Sequence, residues 1–282
     1  MHAHSDPHSD HETYYVPPPS IWPLTGSIAL LALASGFALT LAKHAVGPYL
    51  IAIGAGILLI MLIGWFGDVI DETQSGKHID QVDTSFRWGM VWFIFSEVMF
   101  FAGFFGALFY ARNLAVPMLA DAQLLWPGFS AAWPSAGPGA NSVPVPVAAW
   151  GIPALNTLIL LCSGATVTWA HWGLLKNDRF QLALGLALTI ALGAVFIGFQ
   201  IHEYGSAEFS IRDGIFGATF YMLTGFHGFH VIVGAAMLFV IFCRTVIGHF
   251  TPERHFAFEA VVWYWHFVDV VWLLLFVFVY WV

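Results

Sequence analysis

Apolar residues fill seven stretches of this 282-residue chain, at about 24–43, 48–70, 86–112, 154–175, 180–204, 212–247 and 256–281. Each meets the requirement of about 20 residues for a helix crossing the roughly 30 Å hydrocarbon core of a bilayer. Polar residues collect between the stretches. The pattern predicts an all-α, polytopic membrane protein with seven transmembrane helices. The sixth stretch exceeds one crossing and is expected to tilt or protrude. Residues 1–20 form a polar N-terminal tail ahead of the helical region 21–282. Residues 113–153 are the one long connection. They carry seven of the fourteen prolines, with Trp126, Trp133 and Trp150, and are expected to be non-helical, on the membrane surface or against a partner.

Composition narrows the class. The chain is 59% hydrophobic and 9% charged, against about 25% charged in soluble proteins, and its mean hydropathy is +0.77. A soluble fold is excluded. Nine scattered Lys and Arg exclude nucleic-acid binding. The net charge of −8 owes much to Asp68, Asp71, Glu72, Asp80 and Asp83, expected to share one loop. Cys162 and Cys243 lie in apolar runs and are expected to be buried packing residues, not a disulfide. The tail lacks Lys and Arg and is not expected to act as a cleavable leader. With the N-terminus inside, Lys77, Arg87, Lys176, Arg179, Arg244 and Arg254 face inward, and Lys43, Arg112 and Arg212 face outward. That bias favours N-in, C-out.

The polar residues within the spans carry the chemistry. Glu97 lies nine residues from Trp88 and thirteen from Tyr110, so it sits roughly 14 Å deep at about 1.5 Å per residue. A carboxylate there costs at least about 2.5–3.5 kcal/mol. Phe93, Ile94, Phe100 and Phe101, one turn away, cannot pair with it. Its partner must come from another helix, water or lipid. Two readings stand: a proton-accessible carboxyl, and a structural acid bonded across helices. Elsewhere, Thr157, Gly164, Thr168 and His171 share one side of the fourth span. Thr224, His227 and His230 share one side of the sixth, and Glu259, His266 and Asp269 one side of the seventh. These faces must look inward. His227-x-x-His230 is spaced for a metal site or for bonds across helices. Haem ligation by His227, His230 or His266 is permitted by spacing, but no attachment motif supports it. A carboxylate-bridged di-iron site would need Glu-x-x-His pairs, which the chain lacks. His2, His4, His8 and His11 could take a metal, or form a solvated tail. Gly214, Gly217, Gly225 and Gly228 are expected to let helices approach the sixth span closely.

Several long motifs resemble subunit III of the haem–copper cytochrome c oxidases. They include HFAFEAVVWYWHFVDVVWLLLFVFVYW at the C-terminus and TGFHGFHVIVG in the sixth span. IWPLTGS, GWFGDVIDET, SEVMFFAGFF, LNTLILLCSGATVTWAHWGL and GFQIHEY follow the family's order. The resemblance runs from about Trp22 to the C-terminus, without the N-terminal tail and the Pro-rich loop.

The resemblance implies a two-helix and a five-helix bundle around a V-shaped, phospholipid-filled cleft. It implies no haem, copper or other metal in this chain; haem and copper belong to partner subunits I and II. The partners it implies are subunit I, in direct contact, subunit II and membrane phospholipids, with cytochrome c as substrate of the complex. It assigns an accessory role in proton uptake and turnover stability, with no catalytic residue. Glu97 matches the family's intramembrane acid, and Glu72, His78 and Arg244 match lipid-headgroup positions. Trp65 is followed by Phe66 and Gly67 where the mitochondrial pattern has Trp then Arg, and Asp71 replaces a basic residue, so Lys77 takes over that contact. The histidines His171, His227, His230 and His266, with Glu259 and Asp269, become a structural polar network. A quinol oxidase subunit III is the nearest alternative, although such members often lack the first two helices. A proton-coupled transporter using Glu97 is the alternative of another class, but no internal repeat supports it. The Ala- and Gly-rich composition favours a bacterial cytoplasmic membrane over a mitochondrial inner membrane.

Overall fold

The computed structural model describes residues 14–138 and 144–281. His2, His4, His8 and His11 lie outside these residues. The helices are α1 (Trp22–Leu41), α2 (Gly47–Gln74), α3 (Asp80–Tyr110), α4 (Val116–Asp121), α5 (Ile152–Leu175), α6 (Arg179–Ser206), α7 (Gly214–Ile247) and α8 (Phe256–Leu275). A π-helical turn, Ala111–Ala115, joins α3 to α4, and α8 ends in a π-helical stretch, Phe276–Trp281. Counting α3 to α4 as one, seven helices among the described residues are long and apolar enough to cross a membrane. Among the described residues there is no strand.

Two boundaries differ from expectation. The acidic loop is mostly helix: Asp68, Asp71 and Glu72 ride the last turns of α2, and Asp80 and Asp83 sit in the first turn of α3. Acids there meet the positive end of the helix dipole. The third span also runs past residue 112. Leu114, Val116, Met118 and Leu119 continue its apolar run, and Pro117 falls at the start of α4, where its missing N–H breaks no intrahelical bond. The proline-rich connection is therefore helical to Asp121, and its described residues beyond are irregular up to the start of α5.

The chain forms two compact units, Met1–Phe86 and Arg87–Val282. In the first, α1 and α2 form an antiparallel hairpin. A Cβ at Gly54 would lie 2.8 Å from the Leu33 nitrogen, so only glycine permits this spacing. The Trp22 ring lies over Gly64, and its Nε1–H donates to Asp68 Oδ2 at 2.6 Å.

In the second unit α8 is central. Over half of its span (56%) is buried, against 11% for the α3 span. Trp265 is fully buried between Gly193 of α6 and Gly234 of α7. It donates from Nε1 to Ser163 Oγ on α5 at 3.0 Å, and Trp272 donates to Thr157 Oγ1 at 2.9 Å. Lipid tails are as apolar as side chains, so helix association rests on such fits and bonds, about 0.6 kcal/mol each on average.

Two packing expectations are corrected. Gly214 and Gly217 pack on loop carbonyls of Ala136 and Ser210, while Gly225 has only Tyr204 Oη at 3.8 Å and Gly228 nothing within 4 Å. The close helix approaches fall at Gly193 and Gly234 instead. Cys162 and Cys243 are free thiols on the outer face of their helices, not buried. In a membrane both faces of a helix are apolar, so an apolar run does not tell which side is inside.

Candidate functional site

Glu97 finds its partner on another helix. His230 of α7 places Nε2 2.8 Å from Glu97 Oε2 on α3. The other ring nitrogen, Nδ1, lies 2.6 Å from the Phe226 carbonyl oxygen. A carbonyl only accepts, so Nδ1 carries a proton. Neutral His230 then offers Nε2 as a lone pair, and the bond to Glu97 closes only with a proton between them, on the carboxyl or on Nε2. Phe100, Phe101 and Tyr264 ring the imidazole, with centroids 5.8, 5.0 and 6.4 Å away. The Glu97 side chain stays 21% exposed.

The inward faces of α5 and α8 meet in opposite order, as antiparallel neighbours must. Thr168 Oγ1 is 3.3 Å from His266 Nε2. His266 Nδ1 is 3.8 Å from Asp269 Oδ2, and a Cβ at Gly164 would lie 2.7 Å from that oxygen. Asp269 Oδ1 is buried without a protein partner. At the far end, where α5 stops and α8 starts, Glu259 Oε2 pairs with Arg87 of α3. Its other oxygen, Oε1, faces His255 Nε2 at 3.4 Å and His171 Nε2 at 3.7 Å. Glu259 therefore belongs to a group of its own, away from His266 and Asp269. Among the described residues, the donor atoms of His171, His255 and Glu259 are grouped closely enough to hold a metal.

His227 departs from the expected network. It is fully buried, and neither ring nitrogen has a hydrogen-bond partner. It packs against Phe196 and Trp272, with ring centroids 5.7 and 5.1 Å away. Three residues on a helix turn about 300°, so the two imidazoles diverge by about 60°: His227 enters the Phe196–Trp272 pocket, and both nitrogens of His230 are already engaged. The pair does not converge on a metal. Thr224 bonds Tyr204 Oη at 2.7 Å.

Of the residues matched to headgroup positions, Glu72 and His78 belong to the first unit and Arg244 to the second. Glu72 Oε1 accepts from Tyr15 Oη at 2.9 Å, and Oε2 lies 3.6 Å from His78 Nε2. His78 Nδ1 is 2.9 Å from Thr73 Oγ1. Lys77 Nζ sits 5.5 Å from the Tyr15 ring centroid. The hydrogen bond to Glu72 holds the Tyr15 phenol above its ordinary pKa. Arg244 is buried, its guanidinium 4.6 Å from the Phe250 ring centroid and its Nε unpartnered.

One buried acid escaped the sequence reading. Glu203 is 1% exposed; it accepts from Tyr280 Oη at 2.6 Å and Gln200 Nε2 at 3.1 Å. An acid inside an apolar run is the signal that could have found it. Arg87 and His255 were also missed, because their partner Glu259 is distant in sequence.

The family model described as cytochrome c oxidase subunit III matches residues 11–282. Cytochrome c oxidase subunit 3 of Scyliorhinus canicula is 45% identical over 269 residues, 95% of this chain and 96% of the relative. The Danio rerio protein of that description gives the same figures. That of Marchantia polymorpha is 45% identical over 274 residues, 97% of each chain. All three organisms are eukaryotes, which lends the bacterial preference no support.

Proposed function

The chain belongs to the cytochrome c oxidase subunit III family, and on that premise we propose that it braces the oxidase without performing its chemistry. It is a multi-pass membrane component of an oxidase complex in aerobic respiration. Cytochrome c is the substrate of the complex, haem and copper sit in subunits I and II, and this chain contacts subunit I directly. The observation that carries the reading is the use made of the intramembrane acids. Glu97 is bonded to His230, Glu259 to Arg87 and Glu203 to Tyr280. Each bond joins two different helices or ends of the bundle, which supports a firm wall. A transporter using Glu97 would need that acid to change partners between states, and its bond to His230 opposes this.

Phospholipid headgroups bind in this reading at two places. Lys77 supplies a cationic donor and His78 an imidazole, beside Glu72, at one; Arg244, suited to bidentate phosphate contact, supplies the other. The N-terminus faces inside. Removing the subunit from the purified complex tests the proposal. Initial oxygen consumption is expected near normal, with activity then lost over fewer turnovers. Immediate loss of all activity, or an unchanged lifetime, overturns it.

A further inference from the structure

We propose that His171, His255 and Glu259 form a divalent-cation site in this chain, suited to zinc. The three donors come from three places that the fold brings together: near the C-terminal end of α5, the residue preceding α8, and the first turn of α8. Their donor atoms lie within 4.8 Å of one another. Zinc with bonds of about 2.0–2.1 Å in tetrahedral geometry needs its ligands about 3.3 Å apart. Glu259 Oε1 is 3.4 Å from His255 Nε2 and 3.7 Å from His171 Nε2, so small side-chain adjustments complete the set.

The protonation pattern points the same way. His255 Nδ1 lies 3.2 Å from the Thr251 carbonyl oxygen. That oxygen only accepts, so Nδ1 bears the proton and neutral His255 turns a lone pair toward the cluster. Such an outer hydrogen bond is the usual way a metal-binding imidazole is oriented. His171 Nε2 is enclosed and has no hydrogen-bond partner. Arg87 engages Oε2 of Glu259 and leaves Oε1 facing two imidazoles. With His255 neutral, its Nε2 and Glu259 Oε1 face each other at 3.4 Å as two acceptors, and a cation between them removes the conflict. Two imidazoles and a carboxylate, with a fourth position open, favour zinc over magnesium or calcium, which prefer oxygen donors throughout. The side chains of His171 and Glu259 are 24% and 16% exposed, which leaves the ion a way in.

The test uses the intact oxidase, washed with chelator and equilibrated with buffered micromolar zinc. Bound zinc is then counted per haem by mass spectrometry. The native complex is expected to hold one more zinc than the His171→Asn/His255→Asn variant. Arg87→Gln should keep that zinc and bind it about tenfold more tightly, since a unit positive charge no longer opposes the dication. Should the double variant fail to assemble, native oxidase is treated with diethyl pyrocarbonate with and without zinc. Modification of His171 and His255 should slow at least tenfold, while His266, 43% exposed and outside the cluster, reacts unchanged. Equal zinc in native and variant complexes overturns the proposal. So does equal modification with and without zinc, which would leave protonation of the imidazoles as the answer to the acceptor conflict.

Discussion

Breaking the Glu97–His230 bond from one side is expected to cost far more than deleting it from both. In His230→Leu, Glu97 Oε2 loses its 2.8 Å partner among phenylalanine rings. A buried polar group left unsatisfied costs about 1–3 kcal/mol, and an uncompensated charge about 3–5 kcal/mol. Glu97→Leu leaves His230, 7% exposed, with a bare Nε2, again about 1–3 kcal/mol. The double change removes both groups and keeps the apolar volume, so it should lie close to the native protein. Glu97→Gln should be mild, within about 1 kcal/mol, because an amide N–H can donate to the Nε2 lone pair that the Phe226 bond imposes. The assay is the temperature at which the subunit leaves the complex, read on native gels. At about 2–4 °C per kcal/mol, each single leucine variant should fall by several degrees, and the double and the glutamine variants by about 4 °C or less. A double-mutant cycle isolates the coupling. Additive leucine effects would refute the bond's role, and a glutamine variant as weak as the leucine one would refute the proton assignment.

Three further outcomes follow from the same geometry. A hydrophobic carbodiimide entering from lipid should modify Glu97, 21% exposed, and spare Glu203, 1% exposed, as peptide mass spectrometry would show. Gly234→Ala puts a Cβ 2.9 Å from the buried Trp265 ring and should cost about 1–3 kcal/mol, whereas Gly228→Ala, with nothing within 4 Å, should be near neutral in the same retention assay. Because the Tyr15 phenol titrates above its ordinary 10.0, its bond to Glu72 is present below that pH and lost as pH rises through the raised value. Limited proteolysis should therefore release the segment around Tyr15 only at strongly alkaline pH, and Tyr15→Phe should release it at neutral pH.

The seven spans were legible because bilayer thickness demands long apolar runs, a constraint each span states within its own residues. Helix ends were less so. Asp80 and Asp83 looked like loop residues, yet a helix start welcomes acids. Which glycines pack was not legible at all. Gly228 and Gly234 sit in one helix with similar neighbours in sequence, and only the position of Trp265, on α8, distinguishes them. The thiols failed for a related reason, since in a membrane helix hydrophobicity no longer marks the inside.

The site was legible in one specific sense. Depth alone required a partner for Glu97 from beyond its own helix, and the structure supplies one 133 residues away. The sequence could not name it, because His227 and His230 both face inward and differ by only about 60° of rotation. That rotation sends one imidazole to a carboxyl on α3 and the other into a pocket of Phe196 and Trp272. The same limit hid Arg87 from Glu259, 172 residues apart. Polar residues in a membrane helix announce that a bond exists, since lipid offers none. The register between helices decides which bond it is, and that register is set by the fits around Trp265 and Trp272, not by the polar residues themselves. A change at Gly193 or Gly234 should therefore disturb the Glu97–His230 pair without touching either side chain.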